Sequence, residues 1–283
     1  MTDSKSDKIA IKIFNEENEC SFTAGNKAVC SPKSVVGKMK EFAKTKGKNV
    51  SGDQNIVKTV KDLLNCNSES CILKRADFVQ FAKLNNIEAV LNNFFKPEGP
   101  ALDFGLLSNF NIDDVLDQLV IRFKHKKFLH IPFQMRDFAK VGTSLATINL
   151  ANEFRNGTKT FGVVLNTDYS TGGGIHWFCL FGEDHGSYLE LEYFNSSGKA
   201  PLPEVQAWLQ KQKHFLAKEL KKEVRVWYST GIRFQDDDHS CGVYCLCYIW
   251  LRLEGITPRW FKSNNFNDSL MHKVRKNLFR HEK

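Results

Sequence analysis

Apolar and polar positions change their spacing near Glu98. Before it, apolar residues recur at helical intervals through three Lys- and Asn-rich stretches, from Pro32 to Lys46, Gln54 to Asn65 and Arg75 to Phe95. The third, RADFVQFAKLNNIEAVLNNFF, predicts one continuous helix. KPEGP, from Lys96 to Pro100, then gathers residues that break helices. This pattern predicts a small helical N-terminal arm domain over residues 1–98 and a larger domain over 99–283.

Beyond the breaker, GLLSNFNIDDVLDQLVIRF reads as a helix capped by Asn111, with Asp113 and Asp114 facing the positive end of its dipole. FLHIPFQMRDF predicts a short strand and a turn. From Thr160 the period shortens to that of strands. TFGVVLNTD is one strand, YSTGGG a glycine-rich turn and IHWFCLFGED a second strand. SYLELEYFNSS is a third, with Leu189, Leu191 and Tyr193 alternating against Glu190, Glu192 and Phe194. LPEVQAWLQKQKHFLAKELKKE is a long amphipathic helix with proline near its start, and VRVWYST a fourth strand. An apolar run from Gly242 to Leu253 stops at Gly255, and residues 264–280 read as a last helix. The fold class this predicts is α+β, with a central sheet flanked by helices behind a helical arm.

Composition narrows this picture without redirecting it. Of 283 residues, 42% are hydrophobic and 25% charged, as in folded globular proteins. The apolar run after Cys241 is too short to span a bilayer, so no membrane insertion is expected. MTDSKSDKIAIKIF mixes both charge signs and lacks the apolar stretch of a secretory signal, which predicts a reducing compartment. Forty Lys and Arg oppose thirty-two Asp and Glu, a net charge of +8. The basic residues are scattered, so weak nucleic-acid contact is the most they imply, and a monomer is expected. Cys66 and Cys71 form a C-x4-C pair with no matching second half, since the nearest histidine is His125. No zinc site, disulfide framework or cofactor is therefore expected.

The chemistry concentrates in QDDDHSCGVYCLCYIW, from Gln235 to Trp250. Ser240 is placed to cap a helix that begins at Cys241, where the helix dipole and unpaired backbone N–H groups favour thiolate. Gly242 removes a side chain that would obstruct substrate. Cys245 and Cys247 lie among apolar residues and read as core filler. A thiol nucleophile needs a base from a separate element, which makes His239, two residues away, a poor partner. His176 follows Thr171-Gly172-Gly173-Gly174 and precedes Trp177 at the start of a strand; the bland alternative is a satisfied histidine at a strand edge. Asn195 ends the next strand, where it can orient an imidazole, or simply close a turn. Gln235 carries a side-chain amide able to donate to an oxyanion.

Taken in order, His176-Trp177, Asn195, Gln235 and Cys241-Gly242 resemble the SUMO-protease/adenovirus-protease group of cysteine proteases. NCNSESCIL, GLLSNFNID, FGVVLNTDYSTGGGIHW, EYFNSSG and the final LFR are similar to the polyprotein-processing cysteine proteases of African swine fever virus and related large DNA viruses. The resemblance implies that group's core, with a mixed sheet flanked by helices, and an endopeptidase that cuts viral structural polyproteins after Gly-Gly. It implies Cys241 as nucleophile, His176 as base, Asn195 as its orienting residue and Gln235 as oxyanion donor. Trp177 would roof a glycine tunnel, with Asn109 and Asn111 supporting substrate binding, and no metal is implied. The implied setting is the virion and assembly sites in the host cytoplasm. Asn195 and Ser240 depart from the Asp that many SUMO proteases carry at both positions. Asp236, Asp237 and Asp238 read as a solvated loop, or as a source of negative charge that raises the His176 pKa. Two alternatives are a deconjugating protease for a SUMO- or ubiquitin-like protein and a non-catalytic nucleic-acid-binding module on the same fold.

Overall fold

The computed structural model describes residues 8, 18–24, 27–100, 104–262 and 266–280. Apart from Lys8, the stretch MTDSKSDKIAIKIF lies outside the described residues. The chain divides into two units between Gly99 and Pro100. The expected assignment of the C-terminus needs correction: from Arg275 onward the chain belongs with the helical unit, so the division also falls within the last helix.

The helical unit contains α1 (Lys33–Thr45), α2 (Asp53–Leu64), α3 (Glu69–Lys74), α4 (Ala76–Ala82) and α5 (Ile87–Phe94). Val35, Val36, Met39, Phe42 and Ala43 line one face of α1, and Ile56, Val57, Val60 and Leu64 one face of α2. They share a core with Ile72, Leu73, Phe78 and Leu91. The single helix expected over Arg75–Phe95 is broken. Lys83 adopts a left-handed conformation (φ 50°), and Asn86 Oδ1 accepts the Ala89 N–H to start α5 afresh. Local capping chemistry here overrides a continuous apolar period. Two disulfides, Cys20–Cys30 and Cys66–Cys71, overturn the expectation of free thiols. They are at odds with the reducing surroundings expected from the N-terminus.

The second unit is built on a mixed sheet. Its strands are β1 (Phe128–His130), β2 (Gln134–Met135), β3 (Thr160–Asn166), β4 (Trp177–Asp184), β5 (Tyr188–Phe194) and β6 (Glu223–Tyr228). The order is β1-β3-β4-β5-β6, with β2 pairing to β3 beyond β1. Pairs β3–β4 and β4–β5 are antiparallel; β1 and β2 run parallel to β3, and β6 parallel to β5. The helices are α6 (Asn109–Arg122), α7 (Phe138–Val141), α8 (Ser144–Thr147), α9 (Leu150–Arg155), α10 (Pro203–Leu220), α11 (Cys241–Leu253), α12 (Pro258–Phe261) and α13 (Asp268–Leu278). Sequence reasoning placed α6, α10, α11 and the described part of α13, and passed over the short α7, α8, α9 and α12.

One sheet face packs Phe161, Val163, Phe178, Leu180, Leu191 and Tyr193 against α9 and α10. The other face meets α11, where Phe194 stacks on Tyr248 at 4.2 Å. Helices on both faces explain why the alternation expected in β5 fails: Glu192 is fully buried beneath α11. Arg252 answers it. Its Nε donates to both Glu192 carboxylate oxygens at 3.0 and 2.9 Å, and Nη2 donates to Glu192 at 2.6 Å and Glu183 at 2.9 Å. The Tyr248 hydroxyl donates to Glu192 at 2.5 Å, and Arg252 Nη1 to the Ile256 carbonyl at 2.5 Å. Burial raises the Glu192 pKa while Arg252 and Tyr248 work against that; burial lowers and Glu192 raises Arg252, with a net upward shift. Among the described residues, no helix is long and apolar enough to cross a membrane.

Candidate active site

The His176 position is set by the turn between β3 and β4. Asn166, buried at the end of β3, accepts the Asp168 and Ile175 N–H groups at 3.0 and 2.9 Å. Asp168 in turn accepts the Gly174 N–H at 3.0 Å. A Cβ on Gly172 would stand 2.1 Å from Asp168 Oδ2, so any other residue here displaces the carboxylate that holds the Gly174 N–H. The turn closes with Thr167 N–H donating to the His176 carbonyl at 2.9 Å. His176 therefore lies immediately before β4 instead of opening it.

Register brings Asn195 to it. Cys179 pairs with Phe194, so one further step sets Asn195 beside Phe178, two residues from His176. The side chains meet diagonally, with 2.8 Å between His176 Nε2 and Asn195 Oδ1. Three contacts fix the Asn195 amide orientation: Nδ2 donates to the Tyr193 hydroxyl at 2.9 Å, and Oδ1 accepts from Ser197 N–H and Oγ at 3.0 and 2.8 Å. An oxygen facing Nε2 places the imidazole proton there and leaves Nδ1 with a lone pair. Burial, which outweighs the Asn195 hydrogen bond, holds the His176 pKa below its ordinary value, with Lys199 adding to the depression. The triple aspartate does not raise it.

Cys241 begins α11 and is 4% exposed. Backbone N–H groups of Trp177, Gly242 and Cys241 itself act on the thiol in the direction expected from a helix start, but burial dominates and pushes its pKa up to about 11. Burial thus works against the thiolate expected from the helix start. Ser240 stands at the cap position with helical backbone angles, and its hydroxyl makes no cap. That hydroxyl donates instead to Asp237 Oδ2 at 2.6 Å. Cys179, Cys245 and Cys247 are buried free thiols, as core residues should be.

Cys241 opens into a cavity of about 350 Å³ that Leu107, Asn109, Phe133, Ile175 and Trp177 also line. The Trp177 indole N–H donates to the Leu107 carbonyl at 3.1 Å, which holds the ring in place. A Cβ on Gly242 would come within 3.1 Å of Leu107 Cδ1. The space left by Gly242 therefore admits Leu107, itself a wall of the cavity, against the helix start. Asn111 is not on the cavity wall. Ser108 caps α6, and Asn111 completes a reciprocal capping box with it, which corrects the expected Asn111 cap.

Gln235 is buried and tied at both ends of its amide. Oε1 accepts the Ser196 hydroxyl at 2.6 Å; Nε2 donates to the Asp237 carbonyl at 3.0 Å and to Asp237 Oδ1 at 3.2 Å. Ser196 also accepts the Phe234 and Gln235 N–H groups through its carbonyl, so the loop before Cys241 is bound to the residue after Asn195. Asp237 accepts the His239 and Ser240 N–H groups at 3.1 and 2.9 Å. Burial would raise the Asp237 carboxyl, yet the Ser240 and His239 hydrogen bonds prevail and lower it. Asp236 and Asp238 are exposed, so the solvated-loop expectation holds for them and fails for Asp237. Sequence reasoning passed over Ser196, Asn166 and Leu107, which carry no local signal. Asp237 did carry one, as the residue three before a serine at a helix start.

No family model matches the chain. A cysteine protease of African swine fever virus from a Malawi isolate is 32% identical over 284 residues, covering 95% of this chain and 97% of the relative. A relative from a South African isolate, named as a SUMO-1 cysteine protease, matches to the same extent, at 32% identity over 95% of this chain and 97% of its own. The crystal structure of the African swine fever virus pS273R protease superposes with a TM-score of 0.78 at 30% identity, covering 93% of this chain and 96% of that one. With identity sustained over nearly the whole of both chains and the fold shared, the chain belongs to the pS273R family of cysteine proteases.

Proposed function

We propose that this cysteine protease is an endopeptidase that cuts viral structural polyproteins after Gly-Gly, with Cys241 as nucleophile and His176 as general base. The observation that carries it is the 2.8 Å contact between His176 Nε2 and the oriented oxygen of Asn195. It leaves Nδ1 as the proton acceptor, on the residue next to the tryptophan that shares a cavity with the Cys241 thiol. With both groups neutral at rest, His176 Nδ1 takes the thiol proton as Sγ attacks the scissile carbonyl carbon. The tetrahedral oxyanion receives the Cys241 backbone N–H, and the Gln235 amide once substrate draws its Nε2 from Asp237. Collapse breaks the C–N bond, and the amine leaves with the proton from His176. Water, deprotonated by the same imidazole, then hydrolyses the thioester and restores the thiol.

Gly-Gly preference follows from steric rejection. Trp177 and Leu107 line the same cavity, and in this reading the passage between them admits residues without a Cβ and refuses others. Asn109 lines the same wall and contacts the substrate backbone in this reading. The sites of action would be host cytoplasmic assembly sites and the virion, where such polyproteins are processed. A monomer suffices, and the +8 charge provides weak attraction to nucleic acid held there.

Deconjugation of a SUMO-like protein is the second reading, favoured by exposed Leu106, Phe110 and Ile175 near the cavity, which suit a folded partner. Both readings are tested by incubating the protein and its Cys241→Ala variant with the virus's own structural polyproteins, a Gly-Gly peptide and a folded SUMO conjugate, then mass-mapping the cuts. Cleavage of polyprotein and peptide after Gly-Gly, absent in the variant, is expected. Cuts made by the variant would overturn the role of Cys241; cuts confined to the conjugate would favour deconjugation.

A further inference from the structure

Asp237 and His239 on the loop before Cys241 meet His272 of α13. Asp237 Oδ2 lies 3.3 Å from His239 Nε2 and 3.4 Å from His272 Nε2. One ligand atom from each residue falls within 4.8 Å of the others. The edge of a tetrahedron with metal–ligand bonds of about 2.0 to 2.1 Å measures about 3.3 Å. Two of the three edges are thus already at the required length, and small rotations of the imidazoles close the third.

The surroundings suit a metal as well. His239 Nδ1 lies 3.2 Å from Asp238 Oδ1; with Nδ1–H donating to that carboxylate, the Nε2 lone pair is the one that can meet an ion. Asp237 is held by the Ser240 hydroxyl and by two backbone N–H groups, so its carboxylate is aimed before any ion arrives. The two imidazoles are nearly parallel, at 13°, with ring centroids 5.6 Å apart. Phe104 stands edge-on to both rings at 5.4 and 5.1 Å and gives the cluster an apolar wall.

We propose that Asp237, His239 and His272 form a binding site for a divalent transition-metal ion of the zinc class, with a fourth position open to water. Two imidazoles and one carboxylate suit zinc and disfavour magnesium or calcium, which take oxygen ligands. The site shares its loop with the proposed oxyanion donor, Gln235. Asp237 binds the ion through Oδ2 while Oδ1 accepts from Gln235 Nε2, so occupancy fixes the loop that carries the proposed oxyanion donor.

The test is titration of the full Cys241→Ala protein with Zn²⁺ by calorimetry and with Co²⁺ by visible absorption, a background without the active-site thiol. One ion per chain is expected, with a Co²⁺ spectrum lacking thiolate charge-transfer bands. His272→Ala and His239→Ala on that background should each weaken binding by at least roughly tenfold, and Asp238→Asn by less, with circular dichroism unchanged in the absence of metal. His272 is half-exposed on its helix, so His272→Gln supplies a second, milder variant whose loss of binding reads the same way. Absence of binding in the Cys241→Ala protein, or full affinity in either His272 variant, would overturn the site and leave a plain ion-paired cluster. Because the readout is binding by a protein without its nucleophile, the outcome does not depend on the proteolytic reading.

Discussion

The two ends of α11 solve opposite problems. Its first residue, Cys241, is a buried thiol served by the backbone N–H groups of Trp177, Gly242 and Cys241 itself. Its last turn carries Arg252, whose guanidinium is engaged by Glu192, Glu183 and the Ile256 carbonyl. The first end is organised by hydrogen bonds through Ser196, Gln235 and the Asp237 carboxylate, and leaves the Cys241 thiol to backbone N–H groups. The second is a closed ionic network in which every strong donor and acceptor has an answer. In the proposed reading, rigidity at one end of the helix lets the other hold a nucleophile in place without quenching it.

The sharpest test of this contrast is a pair of substitutions on one helix. Cys241→Ala should abolish proteolysis, a loss on the order of a million-fold, while leaving Tm unchanged or raised. A large fall in Tm would show that the thiol end is structural after all. Next in size, Arg252→Ala strands Glu192 in the core and should destabilise by about 3 to 5 kcal/mol in chemical denaturation, with the remaining folded protein still active. The double variant Arg252→Met with Glu192→Leu should recover most of that loss, since neither charge is then left buried alone.

Gln235→Ala probes the loop between these extremes. We expect kcat to fall by roughly 100- to 1,000-fold with little change in Tm; a fall in Tm of the size seen for Arg252→Ala would instead make Gln235 a structural tie. The smallest effect is a shift in pH profile. The His176 pKa is depressed, so the base is still neutral below about pH 6.5, the ordinary histidine value, and the acid limb of kcat/KM should lie under that value. Between the folded and unfolded pKa values the unfolded chain binds the extra proton, so His176 also makes stability fall as pH drops through that window. An acid limb above 6.5 would mean that the His176 pKa is raised and not depressed, against the effect of its burial.

Much of this was legible in local sequence. Cys241 announced itself at a polar-to-apolar junction, and His176 at the exit of a glycine-rich turn, because helix starts and turns are written in a few adjacent residues. Asn195 was legible as a strand end, and the division near Gly99 as a cluster of breakers. The break at Lys83 and the cap at Ser108 were missed because several nearby residues compete for each role, and packing chooses among them. Glu192 was misplaced because periodicity reveals a strand's alternation and not whether its second face is covered.

The sequence by itself determined the kinds of element, their order and the residue types available for acyl transfer. It did so because propensity, capping and apolar period act over a few neighbouring positions. Tertiary structure decided everything that depends on distant partners. The Cys20–Cys30 and Cys66–Cys71 pairings depend on it, and so does the union of residues 275–280 with the helical unit. The Arg252–Glu192 network and the meeting of Asp237 with His272 depend on it too. It also reversed the balance at the Cys241 thiol. A helix start lowers a thiol pKa, but burial raises it by more, and burial exists only once the chain has closed around Cys241.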